Sequence, residues 1–276
     1  MPDRPNVQAE LSAAIEIARE AGATLLSHWG RNVRAESKGE FDIVTVADRA
    51  SEELVVSRLR QRFPAHAIVA EEGGGYRTAS DYCWYVDPLD GTTNFAHGFP
   101  MFNVTLALEH EGELTAGVVF DPLHDELFHA TRGGGAFLNG NAIRVSRTGD
   151  LGASLLATGF PSRKRHRNVN VHFFYELAMS THGIRRAGSA ALDLAYVACG
   201  RLDGFWEFGL SPWDMAAGVL LVREAGGRAS DMNGGKVDLY GAHVLADNAA
   251  IHDALLETFR EVFAGHVRFP LPEVTA

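Results

Sequence analysis

Two carboxylates three residues apart close a hydrophobic run in WYVDPLDGTTNF, residues 84–95. Asp87 and Asp90 stand where Trp-Tyr-Val stops and a turn begins. In a strand that ends this way, residues i and i+3 can fold back towards one point, because Pro88 fixes one φ and Gly91 opens conformations closed to other residues. Converging carboxylates repel and raise each other's pKa. A cation between them keeps both ionised, and ligands made of oxygen alone favour hard ions, Mg²⁺ first. The plain alternative is a turn pair, since Asp and Gly are frequent turn formers. Gly91, Thr92 and Thr93 add N–H groups and hydroxyls beside the same point. If a helix starts there, its free N–H groups suit a phosphate.

Other acids stand at the ends of apolar elements, where a solvated charge is less expected. Glu71-Glu72 follows AIVA and precedes three glycines; Asp42 and Asp48 bracket IVTVA; Asp214 follows Pro212-Trp213. Alone, Asp214 also reads as a helix N-terminal acid, favourable with the dipole. It is their joint occurrence that points to metal-assisted phosphate chemistry.

These acids need elements to hold them. Residues 8–29 place Leu11, Ala14, Ile15, Ala18 and Leu25 at helical spacing, ending near Gly30. A second helix carries Asp48 near its start and Leu54, Val55, Leu59 and Phe63 on its apolar face, and Pro64 ends it. AIVAEE and YCWYVD read as buried strands. FNVTLALEH and LTAGVVFDP flank a turn at Glu111-Gly112-Glu113, and the meander continues to residue 140 through Gly133–Gly135. After residue 150 strands at 154–158, 184–187 and 204–208 alternate with helices at 168–180, 189–199 and 213–225. Strands near 228–231 and 242–246 and a helix over 248–263 follow, then a surface tail. The pattern predicts two mixed α and β lobes packed together.

Composition narrows the function classes. The chain has 276 residues, 46% hydrophobic and 22% charged, with a formal net charge of −10. That balance opposes general binding to nucleic acid, which needs a basic face, but not binding of a small phosphate ester beside bound cations. Cys83 and Cys199 make neither a disulfide framework nor a zinc site and read as buried filler. The first twenty residues carry no apolar leader and no run approaches the ~20 apolar residues of a membrane span, so a soluble cytoplasmic protein is expected. Without a secretion signal, the glycosylation match at Asn103-Val104-Thr105 is idle. RKRHR at 163–167 reads as a solvent-facing loop. His124 and His129 lack the helical His-Glu-x-x-His zinc spacing, and no P-loop or dinucleotide fingerprint is present. Trp84, Phe95, Phe99, Trp206 and Trp213 are expected in the core and pocket wall.

DPLDGTTNF (87–95) and PWDMAAG (212–218) closely resemble the two signature motifs of the inositol monophosphatase family, and FDIVTVAD (41–48) and AEE (70–72) match its earlier motifs in order and spacing. The resemblance runs from the first helix to about residue 263. Ala70 stands where the family usually shows Gly. The resemblance implies an α+β fold, a layered αβαβα sandwich of the inositol monophosphatase and fructose-1,6-bisphosphatase type. Residues 1–150 would form an N-terminal lobe with most metal ligands, and 151–276 a C-terminal lobe with specificity residues and Asp214. It further implies a homodimer and a lithium-sensitive, Mg²⁺-dependent phosphomonoesterase with two to three ions per site. Glu71, Asp87 and the Leu89 carbonyl resemble ligands of one ion; Asp87, Asp90 and Asp214 resemble ligands of a second; a third leans on Glu71. Asp48 and Thr92 resemble the pair that, with Glu71, orients the attacking water, and Lys38 resembles the mobile-loop lysine. Substrate neighbours carried over by motif are Asp90, Gly91, Thr92, Thr93, Gly188, Ser189, Ala190, Glu207 and Asp214.

Glu207 matches the position where inositol-specific members set a carboxylate against ring hydroxyls. A carboxylate suits a polyol and repels a second phosphate; the alternative is a rim acid or a partner for Arg186. Asp193 ranks as structural. The expected reaction is hydrolysis of myo-inositol 1-phosphate. The family's other substrates, histidinol phosphate, fructose 1,6-bisphosphate and 3′-phosphoadenosine 5′-phosphate, are rivals. A regulatory relative that binds RNA or RNA polymerase is the alternative of another class.

Overall fold

The computed structural model describes residues 7–30, 36–37, 43–160 and 168–271. Helix α1 (Gln8–His28) is followed by a short antiparallel pair, β1 (Glu36–Ser37) with β2 (Ile43–Val44), and by α2 (Val46–Arg62). A seven-stranded sheet comes next: β3 (Ala67–Ala70), β4 (Tyr82–Asp90), β5 (Asn103–His110), β6 (Glu113–Asp121), β7 (Glu126–Thr131), β8 (Gly135–Leu138) and β9 (Asn141–Ala142), with the short helix α3 (Thr92–Ala96) between β4 and β5. Its spatial order is the chain order; only β3–β4 is parallel.

The second half alternates: β10 (Leu155–Thr158), α4 (Asn170–Ala178), β11 (Gly183–Arg185), α5 (Ala190–Ala198), β12 (Gly204–Phe208), α6 (Pro212–Glu224), β13 (Arg228–Ser230), β14 (His243–Asp247) and α7 (His252–Phe263). Its five-stranded sheet runs β11-β10-β12-β14-β13, with β14 inserted antiparallel between β12 and β13.

Strand alternation sorts the core into layers. Trp84 and Val86 of β4 pack with Leu11, Ile17, Leu25, Val55 and Leu59 of α1 and α2. Tyr85, one residue on, packs with Leu192 and Ala217 of α5 and α6. In β12, Phe205 joins that same middle core, while Trp206 faces Phe173 of α4 and Leu255 and Phe259 of α7. The order is therefore α1/α2, seven-stranded sheet, α5/α6, five-stranded sheet, α4/α7: an αβαβα sandwich. Both sheets are covered on both faces, which is why their strands read as continuous apolar runs.

The middle helices fit because they are lined with small residues. A Cβ on Gly218 of α6 would lie 2.4 Å from Leu194 Cβ of α5, and one on Gly117 of β6 3.0 Å from Ala217 Cα. The small residues of PWDMAAG thus let α6 approach two neighbours closely.

Several expectations shift. The last helix starts at His252 instead of 248, because Asp247 and Asn248 accept N–H bonds from Ala249, Ala250 and Ile251 and hold a turn there. Phe99 is 54% exposed, beyond the left-handed turn at Gly98 (φ 70°), and belongs to neither core nor pocket wall. Cys83 and Cys199 are half-buried; burial raises both thiols, that of Cys83 to about 11. Among the described residues no helix is long and apolar enough to cross a membrane.

Candidate active site

The end of β4 is built by a register shift. Asp87 pairs with Thr105 and Asp90 with Asn103, so three steps on β4 match two on β5. The extra residue is a bulge, and it turns Asp87 and Asp90 to the same face, where a regular strand would send i and i+3 to opposite faces. That face is the one Tyr85 presents to α5 and α6. Gly91 then takes φ 89° and ψ 32° as the N-cap of α3. A Cβ there would lie 2.7 Å from the Met101 carbonyl oxygen, so the turn requires glycine.

Asp87, Asp90, Asp48 and Asp214 each have an oxygen tethered by the protein. Leu89 N–H donates to Asp87 Oδ1 at 3.0 Å. Asn103 Nδ2, Ser189 Oγ and Ala191 N–H donate to Asp90 Oδ2 at 3.0, 2.7 and 3.0 Å. Asp48 and Asp214 both sit at the third position of a helix. Thr45 N–H donates to Asp48 Oδ2 at 2.8 Å, and Ser211 N–H to Asp214 Oδ2 at 2.7 Å. The helix-terminal reading of Asp214 is therefore correct, and it does not compete with a role in the cleft: Oδ1 of Asp214 and Oδ2 of Asp87 receive no donor among the described residues.

Helix α2 ties the pieces together with one stripe of polar residues. Asp48 Oδ1 accepts from Thr92 Oγ1 at 3.0 Å, and that hydroxyl lies equally close, 3.0 Å, to the Leu89 carbonyl. Ser51 Oγ donates to the Pro88 carbonyl at 2.8 Å. Glu52 accepts Glu72 N–H at 2.7 Å and Gly74 N–H at 2.8 Å, fixing the loop that carries Glu71.

The acids border a cleft of about 680 Å³ at the ends of β4 and β12 and the starts of α5 and α6, lined among others by Glu71, Asp90, Thr93, Gly188, Ser189, Ala190, Asp193, Glu207, Trp213 and Asp214. Asp87, Leu89 and Asp48 lie beneath its floor, each at most 2% exposed. Asp90 and Asp214 lie deep yet keep part of their surface open to the cleft. Lys38 and Asp42, with residues 163–167, fall outside the described residues. A second cavity, about 480 Å³, lies along α2 beside Arg49, Glu53 and Arg60 and contains none of the converging acids.

Electrostatically the set is strained. Asp87 is pushed well above the usual carboxylate range by burial, then by Glu71, Asp90 and Asp214. Burial also raises Asp214, with Asp90 and Glu71 adding to it. Burial raises Asp90, although Ser189, Asn103 and Ala191 offset part of the effect. Asp48 is raised by burial against the Thr45 and Thr92 hydrogen bonds. Glu207 is raised by burial, then by Asp214, Asp193 and Asp90; the Arg186 charge opposes this. No ion pair joins Glu207 to Arg186 among the described residues, and Glu207 is only 7% exposed, so it is not a rim acid.

The donor set fits a hard divalent cation: carboxylate and carbonyl oxygens, with no His or Cys lining the cleft among the described residues. A positive charge placed among Glu71, Asp87, Asp90 and Asp214 would reverse the repulsion that now favours the neutral forms of Asp87 and Asp214. Among the described residues no three His, Cys, Asp or Glu side chains are grouped closely enough to hold a metal ion as they stand, so the fit is one of chemistry and placement.

The residues not foreseen are the holders. Asn103, fully buried, ties Asp90 to Ser189, donating to the latter at 2.9 Å. Asn94 donates to the Ala187 carbonyl at 2.9 Å and so holds the loop before Gly188. Glu52 left a signal: an acid on the apolar stripe of α2 with Asp48, Val55 and Leu59.

Comparison with known proteins follows the same line. The family model described as the inositol monophosphatase family matches residues 6–264. The Nus factor SuhB of Pseudomonas aeruginosa is 48% identical over 262 residues, 92% of this chain and 97% of the relative. The inositol-1-monophosphatase of Mesorhizobium japonicum is 45% identical over 258 residues, again 92% and 97%. The crystal structure of extragenic suppressor protein suhB from Bartonella henselae superposes with a TM-score of 0.88 at 41% identity, covering 92% of this chain and 99% of that one.

Proposed function

Because this chain belongs to the inositol monophosphatase family, we propose that it is a Mg²⁺-dependent phosphomonoester hydrolase with myo-inositol 1-phosphate as its substrate. The observation that carries this reading is the placement of Glu71, Asp87, Asp90 and Asp214, four acids from three segments of the chain, at one cleft and beneath its floor. Without a cation such a set is costly, and natural chains tolerate it where function requires it.

In this reading Glu71, Asp87 and the Leu89 carbonyl hold one ion, Asp87, Asp90 and Asp214 a second, and Glu71 shares in a third. When bound, magnesium supplies positive charge that eases ionisation of water and offsets charge on the phosphoryl oxygens. The chain's own groups do the rest. The Thr92 hydroxyl lies 3.0 Å from both Asp48 Oδ1 and the Leu89 carbonyl; in this reading its proton goes to Asp48, which leaves the Oγ lone pairs to accept a hydrogen bond from the attacking water. Asp48, made more basic by burial, draws the proton through Thr92 as the water oxygen bonds to phosphorus. The ester P–O bond breaks opposite, and the released alkoxide takes up a proton from a second water of the solvent-filled cleft, whose hydroxide is neutralised by the proton that Asp48 returns to solvent. The N–H groups of Gly91, Thr92 and Thr93 hold phosphoryl oxygens, and Lys38 adds a cation to them. Gly188, Ser189, Ala190 and Glu207 border the alcohol end. No covalent phosphoenzyme is needed.

Phosphate release from a panel under titrated Mg²⁺ tests this. The kcat/KM for myo-inositol 1-phosphate should exceed that for histidinol phosphate, fructose 1,6-bisphosphate and 3′-phosphoadenosine 5′-phosphate, and Li⁺ should inhibit. A higher value for any of the three reassigns the substrate.

The Pseudomonas relative's name, Nus factor, favours a second reading, a regulatory role through binding RNA or RNA polymerase. Asp90→Asn separates the two. Phosphate release should vanish with it; if the cellular function survives that loss, binding is the role.

A further inference from the structure

Asp193 lies one turn into α5, past the N-cap Ser189, and is 2% exposed. What little surface it keeps faces the cleft, where it stands with Glu207, Gly188 and Arg186. Glu207 enters the same end across from Gly159, and a Cβ on Gly159 would lie 2.1 Å from Glu207 Oε2, so the glycine makes room for the carboxylate. No N–H or hydroxyl of the described residues donates to either carboxylate. Asp90 next door, by contrast, accepts three hydrogen bonds on one oxygen. A carboxylate more than nine-tenths buried, with no donor among the described residues, is costly to keep. Two of them at one end of a cleft are built to accept from whatever fills it.

The chemistry of the filler follows from the charges. Two acids exclude a second phosphate. An ammonium would be matched to them if they were alone, but Arg186 already brings a guanidinium, 3.0 Å from where a Gly188 Cβ would stand. Its charge opposes part of the effect of burial on both Asp193 and Glu207. Neutral hydroxyl donors complete the set, and two carboxylates can take a run of them from one ring.

We propose that Asp193 is a specificity-determining residue which, with Glu207, reads the hydroxyls of a cyclic polyol monophosphate at the alcohol end of the cleft. This rests on the phosphatase reading above and corrects the structural rank that the sequence gives Asp193. A purely structural Asp193, an acid in the first turn of α5 facing the helix dipole, makes a different forecast.

The test compares myo-inositol 1-phosphate with p-nitrophenyl phosphate, which offers no hydroxyls, in wild type, Asp193→Asn and Asp193→Ser. Loss of the carboxyl group's hydrogen bonding to ring hydroxyls should lower kcat/KM for the inositol ester about tenfold, through KM. For p-nitrophenyl phosphate it should stay within about twofold. The Mg²⁺ concentration for half-maximal activity and the Tm should hold in at least one variant. An equal loss on both substrates, or no loss on either, overturns the proposal while leaving the phosphatase reading standing. If wild type releases phosphate from neither ester, that reading falls and takes this one with it.

Discussion

Thr92 has one hydroxyl proton and two acceptors within 3.0 Å, Asp48 Oδ1 and the Leu89 carbonyl. Whichever takes it, the oxygen's lone pairs are left for a water on the cleft side. The hydroxyl is thus a relay and its methyl group is incidental. Thr92→Ser should keep phosphate release within about tenfold of wild type, while Thr92→Ala should lower kcat by about 10²–10⁴. Equal losses in the two variants would mean that the side chain packs and does not relay. Asp90 carries a different load: three donors converge on Oδ2. Asp90→Asn presents an N–H or a neutral oxygen to Asn103, Ser189 and Ala191, so it should abolish activity and also lower the Tm by a few degrees. An unchanged Tm would show that these bonds contribute nothing to the fold.

At the scale of elements, the site depends on the bulge that ends β4 and on the polar stripe of α2. The spacing of Asp87 and Asp90 was legible in the sequence, along with Pro88 and Gly91 as turn residues. The register shift against β5 that puts both on one face was not, because it is a property of the pair of strands and neither strand encodes it alone. Asn103 shows the same limit. In sequence it reads as an idle glycosylation acceptor, yet it is fully buried beneath Asp90 because β5 lies beside β4. The layer order was carried by the family resemblance, whereas the antiparallel insertion of β14 depends on long-range pairing that periodicity does not report. Glu52 is the test of the α2 stripe. With its two backbone bonds gone, Glu52→Ala should loosen the 71–74 loop and raise the Mg²⁺ concentration for half-maximal activity several-fold, with a smaller effect on kcat at saturation. A kcat loss with unchanged Mg²⁺ dependence would place Glu52 elsewhere in the mechanism. Gly91→Ala, forced to φ 89° and against the Met101 carbonyl, should cost about 1–3 kcal/mol of stability.

Across the whole molecule the acids that serve the cleft are a burden on the metal-free fold. Asp87, Asp193, Glu207 and Asp214 all have folded pKa values raised above the ordinary carboxylate value, chiefly by burial. Between the unfolded value, about 4, and the raised folded values, the native chain holds more protons than the unfolded one. Their contribution to stability is therefore complete below that window and is lost as pH rises through it. In chelator, the Tm should fall between about pH 5 and about pH 8, and added Mg²⁺ should raise the Tm more at the upper pH than at the lower. A Tm that climbs with pH in chelator, or a Mg²⁺ effect independent of pH, would show that these carboxylates do not share the burden. The central claim is that Glu71, Asp87, Asp90 and Asp214 meet on divalent cations, and a crystal soaked in Mn²⁺ and measured for anomalous scattering addresses it directly. The account predicts peaks bounded by Glu71, Asp87, the Leu89 carbonyl, Asp90 and Asp214. Peaks confined to other parts of the surface, with these four side chains unliganded, would contradict it.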